Sequence, residues 1–424
     1  MLDRKLIRKD PDRVREGLRK KGASFDLDAF LALDERQRSL IRETEALKHE
    51  RNDASDEISR LKKEGRDASA ILERMKKSSE RIKEIDAELK DNAARLDELA
   101  LFIPNLPHES VPYGTCPEHN VVRRQWGAVP ETPGEPPLPH WEIGEKLGIL
   151  DLAAGSNISG RGFVVLRGDG ALLSRALVNL MLDIHRKQGY EEMSVPYLVS
   201  RQCMVGTGQL PKLAEDMYLS EKDDLFLIPT AEVPLTNLYR ESTLDGERIP
   251  VKITAYSPCF RREAGSYGQD TKGLVRVHQF DKVEMVKLVR PETSYEELES
   301  LTADATAVLD ALEIPYRVIE LCTTDLSFSA AKCYDLETFA PALGRWLEVS
   351  SCSNFEDFQA RRANIRFKRR PSDKPEFVHT LNGSGLALPR VIATILELNQ
   401  TPTGKVRIPR ALVPYMGGKE YLEA

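Results

Sequence analysis

A chain of 424 residues is too long for one ordinary hydrophobic core and implies two or three domains. Hydrophobic residues make up 41% and charged residues 30%, and no run of eighteen apolar residues occurs, which argues against a membrane-spanning helix. The net charge of −6 gives no sign of a DNA-binding or generally nucleic-acid-coating surface, so any such contact must come from a local basic patch.

The opening MLDRKLIRKDPDR is charged from Asp3 onward and lacks a secretory apolar stretch. Six cysteines (Cys116, Cys203, Cys259, Cys322, Cys333, Cys352) stand singly without a CxxC pair, which fits a reducing cytoplasm better than a disulfide framework. Cys116 and His119 would supply half of a zinc set with no second half, so no structural zinc is expected.

Residues 1 to about 25 read as one short helix with a cap and proline start at Asp10-Pro11-Asp12. Leu33, Leu40, Leu47, Ala54 and Leu61 then recur at steps of seven, flanked by Phe30 and Ile58. After Gly65 the step resumes at Met75, Ile82, Leu89, Leu96 and Ile103. Two heptad tracts around a glycine break predict an antiparallel coiled-coil hairpin within an N-terminal domain of residues 1–103. Helices of this length would reach roughly 50 Å, with the tip near Gly65. Residues 60–77 hold seven basic side chains against three acidic ones. A charge run on a helix is often only a solvated face, but a positive tip on a long arm also suits a phosphate backbone, with Lys62, Lys63 and Arg66 as the contacts.

Prolines crowd residues 104–139, which read as a linker, leaving 140–424 as a second domain that opens at His140-Trp141-Glu142-Ile143. Gly160–Leu166 reads as a strand, Leu172–Gln188 as an amphipathic helix, and Tyr190–Val199 as a strand interrupted by Pro196. Thr230-Ala231-Glu232 alone is a helix cap. From Phe260 to Lys287 the chain reads FRREAGSYGQDTKGLVRVHQFDKVEMVK, a Gly-Ser-Asp loop between two strands, the second with strand-type composition from Leu274. Its arginines could clamp a carboxylate or phosphate. Further on stand Phe328–Glu337, Leu347–Asn354, the basic stretch 355–370, and Thr380–Arg390 before an apolar helix from Val391 to Leu398.

The 260–287 string resembles the second signature motif of class II aminoacyl-tRNA synthetases, in the form of the bacterial seryl-tRNA synthetase family. The segment 172–199 resembles motif 1 of that class, Thr380–Arg390 resembles motif 3, and the arm resembles the family's tRNA-binding domain. The resemblance covers essentially the whole chain. It implies an α+β fold, with a class II antiparallel sheet flanked by helices and an N-terminal coiled-coil arm. It implies a ligase that forms seryl-adenylate from serine and ATP and charges tRNA(Ser), leaving tRNA(Sec) open, as a cytoplasmic homodimer with Mg2+.

The same resemblance assigns the residues. Thr230, Ala231, Glu232, Glu284 and Ser384 would hold serine, with Glu284 and Ser384 sharing its hydroxyl. Arg261, Arg262, Glu263, Phe280, Glu348, Val349, Ser350, Ser351 and Arg390 would hold ATP. Arg261 would bridge the α-phosphate and the serine carboxylate, Glu263 would take the adenine amino group, and Phe280 would stack on the ring. Glu348 and Ser351 would hold the metal, and Arg261, Glu348 and Arg390 would carry catalysis. Thr324, Ser327 and Leu347 depart from the family pattern outside these positions. Three rivals remain: a catalytically silent RNA-binding relative, a ligase charging a carrier protein, and a plain coiled-coil adaptor.

Overall fold

The computed structural model describes residues 1–129, 137–263 and 272–424. The chain divides into two compact units, one of residues 2–19 and 23–104 and the other of residues 1, 20–22 and 105–424. Gly265, Ser266, Gly268 and Asp270 of the expected motif loop lie outside the described residues.

The first unit is helical. Where one helix was expected near the N-terminus there are two, α1 (Arg4–Lys9) and α2 (Pro11–Lys20). Pro11 has no N–H and disfavours helical backbone at Asp10, so the first helix stops there and the second starts on the proline. The hairpin follows as α3 (Leu27–Lys63) and α4 (Ser69–Ala100). Asp26 caps α3 by accepting from the Ala29 N–H at 2.9 Å. Gly65, at φ +70°, reverses the chain at the tip, and the Arg66 N–H closes on the Leu61 carbonyl at 2.9 Å.

The shared face of α3 and α4 buries Leu40, Ala54, Ile58, Leu61, Ile82, Ile85 and Leu96, while Leu33, Leu47, Met75 and Leu89 are only half-buried. The stripe also takes in a polar residue. Asn92 is 6% exposed and donates to the Leu33 carbonyl at 2.9 Å and to Gln37 Oε1 at 3.0 Å. A buried amide of this kind sets register in paired helices at some loss of stability. Replacing Asn92 by Ala strands the Gln37 acceptor and should cost about 1–3 kcal/mol. Replacing Asn92 and Gln37 together by Leu should instead raise the melting temperature of this unit. Thermal unfolding of the full chain, followed by circular dichroism, checks both.

The second unit is built on an eight-stranded sheet. Its strands are β1 (Val121–Trp126), β2 (Glu191–Glu192), β3 (Val251–Phe260), β4 (Gln279–Val289), β5 (Tyr316–Glu320), β6 (Lys332–Ala340), β7 (Arg345–Asn354) and β8 (His379–Ala387). In space the order is β1-β5-β6-β7-β8-β4-β3-β2, antiparallel throughout except for the β2–β3 pair. Helices α5 (Asp169–Lys187), α6 (Ser294–Ala311) and α7 (Leu388–Leu398) cover one face. Leu173, Leu177, Leu298, Leu301, Val391 and Ile395 pack there against Val283, Met285, Leu336 and Leu381. Burying each such side chain contributes roughly 1.5–3 kcal/mol relative to exposure. Along β4 the side chains alternate: Val283, Met285 and Val289 enter this core, whereas Val286 and Leu288 enter a second core with Ala231, Leu235, Ala360 and Phe367. Lys282 and Glu284 share that second face.

Three expectations need correction. The stretch 104–139 is not linker along its whole length: Val121–Trp126 is an edge strand paired with β5, and Asn105 donates to the Ser329 and Phe355 carbonyls of the same unit at 3.0 and 2.8 Å. Proline density around VVRRQW masked a strand-forming run. The strands expected at 160–166 and 190–199 shrink to Val165–Leu166, Glu191–Glu192 and Leu198–Ser200, with Gly160 and Gly162 held at positive φ. The return strand of the 260–287 hairpin starts only at Gln279, because the backbone of Leu274 and Val275 bonds to His140 and Arg390 rather than to a neighbouring strand.

Candidate active site

On the sheet face opposite α5, α6 and α7 lies a cavity of about 690 Å3. It is lined by β4, β7 and β8, by Arg261 and Glu263 just beyond β3, and by the segments 207–217, 229–232, 274–277 and 327–329. Two strand pairings assemble its floor. Glu284 on β4 stands opposite Ser384 on β8 and Ala255 on β3, which brings residues a hundred positions apart into one network.

That network is a closed set of hydrogen bonds around two buried carboxylates. Glu284 has no exposure and Glu232 only 6%. Thr230 Oγ1 and Ser384 Oγ donate to Glu284 Oε2 at 3.1 and 3.4 Å, and Lys282 pairs with the same oxygen. Lys282 Nζ also donates to Thr230 Oγ1 at 2.8 Å. Asn382 Nδ2 bridges the two acids, donating to Glu232 Oε2 at 3.1 Å and Glu284 Oε1 at 2.9 Å. Gln359 Nε2 donates to Glu232 Oε1 at 2.6 Å, and its own Oε1 accepts from Thr380 Oγ1 at 2.7 Å. With its amide committed to the acids, Asn382 presents Oδ1 as a buried acceptor with no partner among the described residues.

Burial, and then the neighbouring Glu284 carboxylate, raise Glu232 to about 7 against the pull of Gln359, Lys282 and Arg261.

Around the rim, Arg261 projects from the end of β3 with its guanidinium 5.2 Å from the centre of the Phe280 ring. Glu263, at φ +50°, is paired with Arg276 Nε at 3.3 Å. Arg390, at the start of α7, donates to the Glu348 carbonyl at 2.6 Å and to the Val275 carbonyl at 3.1 Å, and lies 3.5 Å from the Glu348 carboxylate. Ser350 Oγ donates to the Ser384 carbonyl at 2.6 Å, tying β7 to β8. On β6, Asp335 faces Ser351 across the strand pair, and burial together with the Glu348 carboxylate holds it well above the usual carboxylate range.

Glu348 and Ser351 offer hard oxygen donors beside the buried Asp335, a donor set suited to a magnesium ion that keeps its waters and leans on phosphates. No set of three His, Cys, Asp or Glu side chains that could enclose a metal occurs among the described residues.

Of the residues expected from the sequence, Thr230, Glu232, Arg261, Glu263, Phe280, Glu348, Val349, Ser350, Ser351, Ser384 and Arg390 all line the cavity. Glu284 lies just beneath its floor and reaches it through Thr230 and Ser384. Ala231 is fully buried in the second core. Arg262 is the exception: it is exposed, and its guanidinium lies over Tyr218 at 5.8 Å, because successive residues of an extended chain point to opposite sides. Lys282, Asn382, Gln359 and Arg276 were not anticipated. Lys282 and Asn382 stand inside quoted motifs, and their polarity at strand positions that alternate with core residues was the available signal.

The raised Glu232 makes stability depend on pH. Between pH 4.5, the ordinary glutamate value, and about 7 the unfolded chain has released this proton while the folded chain retains it. The contribution is therefore full below that window, falls as pH rises through it, and is gone above it. Glu232→Gln should remove this slope, so the stability difference between variant and wild type should shift in favour of the variant from pH 5 to 7. Urea unfolding across that range measures it.

Comparisons with known proteins agree with this geometry. Residues 1–107 match the family model described as the seryl-tRNA synthetase N-terminal domain, and residues 216–399 match that of the tRNA synthetase class II core domain (G, H, P, S and T). The serine–tRNA ligase of Heliobacterium modesticaldum is 57% identical over 417 residues, 98% of this chain and 99% of its own length. That of Geobacillus kaustophilus is 53% identical over 424 residues, the full length of both. The crystal structure of seryl-tRNA synthetase from Pyrococcus horikoshii complexed with ATP superposes with a TM-score of 0.96 at 38% identity, over 100% of this chain and 99% of that one. The serine–tRNA ligase of Naegleria fowleri in complex with AMP gives 0.91 at 29% identity, with the same coverage. A likeness that runs through both units and most of both chains leaves one assignment: the chain belongs to the seryl-tRNA synthetase family.

Proposed function

We propose that this chain is a serine–tRNA ligase whose 690 Å3 cavity holds serine against the Glu284 network and ATP beneath Arg261 and Arg390. The serine carboxylate attacks the α-phosphorus of ATP and pyrophosphate leaves. The terminal ribose hydroxyl of tRNA(Ser) then attacks the seryl carbonyl and AMP leaves. No side chain forms a bond to substrate in either step, so the protein contributes by positioning and by meeting developing charge.

Arg261 bridges the α-phosphate and the serine carboxylate. Glu232, Thr230 and Asn382 Oδ1, which has no partner among the described residues, face the ammonium group. Glu263 takes the adenine amino group, Phe280 and Arg390 cover the nucleotide, and Val349 and Ser350 line its bed. Glu348 and Ser351 would hold Mg2+, which neutralises phosphate charge when bound. A homodimer through α5 and the chain that follows it, tRNA(Sec) as a second acceptor, and a cytoplasmic location belong to the same reading through the family resemblance.

The observation that carries the proposal is Glu284, a fully buried acceptor held by Thr230, Lys282, Asn382 and Ser384. A substrate hydroxyl can join this network through Glu284 and Ser384. An amino acid without one forgoes that contact in a pocket whose polar groups are set for it, and sites that hydrogen-bond a substrate hydroxyl discriminate by roughly 10^4-fold or more. Pyrophosphate exchange should therefore be supported by serine and fall by about that factor with alanine, with Glu284→Ala closing most of the gap. Absence of exchange with serine, alanine, cysteine and threonine alike would favour a silent RNA-binding relative.

The tip of the α3–α4 hairpin gives a separate test. Lys62 and Lys63 close α3, and Arg66 follows the Gly65 reversal, where they suit the tRNA phosphate backbone. Replacing Lys62, Lys63 and Arg66 by Ala should lower tRNA aminoacylation about tenfold or more at physiological salt, while serine-dependent exchange stays unchanged. Equal loss of both activities would break this division of labour.

A further inference from the structure

We propose that His140 and Glu397 form a positioning pair through which helix α7 fixes residues 274–276, one wall of the nucleotide site. The inference rests on reading Glu263 and Arg390 as nucleotide ligands.

His140 and Glu397 are both fully buried as side chains, 2.7 Å apart from Nδ1 to Oε1. The other ring nitrogen, Nε2, accepts the Leu274 N–H at 2.9 Å. An accepting Nε2 fixes the tautomer: the proton sits on Nδ1 and is donated to Glu397. The carboxylate is satisfied in turn, since Oε1 also accepts the His140 N–H at 3.1 Å and Oε2 accepts the Ala342 N–H at 3.0 Å. The imidazole is thus an adaptor that converts a carboxylate on α7 into an acceptor for a backbone N–H that has no strand partner.

Two features tie this to the site. Arg390 stands seven residues before Glu397, about two turns away on the same helix face, and donates to the carbonyl of Val275 at 3.1 Å. Helix α7 therefore grips consecutive residues of the wall, Leu274 through His140 and Val275 directly. Arg276, next in line, carries the 3.3 Å ion pair to Glu263. The chain also passes tightly over the ring: Gly273 has φ +74°, and a Cβ there would fall 2.2 Å from His140 Nε2. Packing alone would not require this arrangement, because apolar residues could fill the same volume without desolvating a carboxylate. What the histidine supplies is an acceptor at one point.

Two substitutions separate positioning from folding. Asn at position 140 keeps a donor near Nδ1 for Glu397 but has no acceptor at Nε2, whereas Gln can place an amide oxygen toward Leu274. In serine-dependent pyrophosphate exchange with the full chain, His140→Asn should raise the KM for ATP about tenfold, the loss of one buried hydrogen bond, and leave the KM for serine within about twofold. His140→Gln should recover most of the ATP KM. Amide hydrogen exchange over residues 272–278 should speed up in His140→Asn and return toward wild type in His140→Gln.

Unchanged ATP KM and unchanged amide protection in both variants would overturn the inference, as would parallel losses for ATP and serine with residues 272–278 still protected. If wild type itself shows no exchange with serine, the reading of the site fails, and amide protection alone then decides whether His140 holds the wall.

Discussion

Two glutamates share one buried hydrogen-bonded network in this protein, and the catalytic unit is arranged around keeping both there. Burial disfavours the charged form of Glu232, and the neighbouring Glu284 carboxylate adds to that. Lys282 resolves the conflict for Glu284 by ion pairing, and Gln359 and Asn382 resolve it for Glu232 with amide donors, leaving Glu232 near 7. The result is a polar floor with one carboxylate paired to a lysine and one whose proton is held to about pH 7. Removing a single member would leave a buried group unpaired, which costs more than the bond itself contributes.

Such a floor needs a rigid support, and the sheet supplies it. The alternation of β4 puts Val283 and Met285 among the helices while Lys282 and Glu284 face the cavity. The pairing of Glu284 with Ser384 and of Cys352 with Gly383 locks β4, β8 and β7 together beneath the site. Helix α7 adds a second line of support, since it packs its apolar side on the sheet and carries Arg390 and Glu397 toward the wall of the cavity. Core packing and site geometry are therefore two faces of the same strands.

Much of this was legible in the sequence, and the parts that were not share a cause. Heptad spacing revealed α3 and α4, and motif resemblance placed Thr230, Glu232, Arg261, Glu348, Ser384 and Arg390 in one site. Composition could not tell which polar residues meet. Lys282 finds Thr230 across 52 positions, Asn382 finds Glu232 across 150, and His140 finds Glu397 across 257. Arg262 shows the converse: a local string names a residue without saying which way its side chain points, here toward Tyr218. The late start of β4 has the same origin, because Leu274 and Val275 have strand-forming side chains but backbone partners supplied from elsewhere.

Asn92 has a consequence for length. Its bonds to Leu33 and Gln37 lie at the end of the hairpin remote from Gly65, about thirty residues before the turn along α3. A coiled coil can slide by whole heptads with little change in its apolar contacts, and one such slip moves one helix along the other by roughly 10 Å. A buried amide bonded to one carbonyl and one side chain opposes that slide, as do the Arg36–Glu88 and Arg81–Glu43 pairs between the same helices. It acts as the zero mark of a ruler, and it determines how far Lys62, Lys63 and Arg66 are carried from the base of the hairpin.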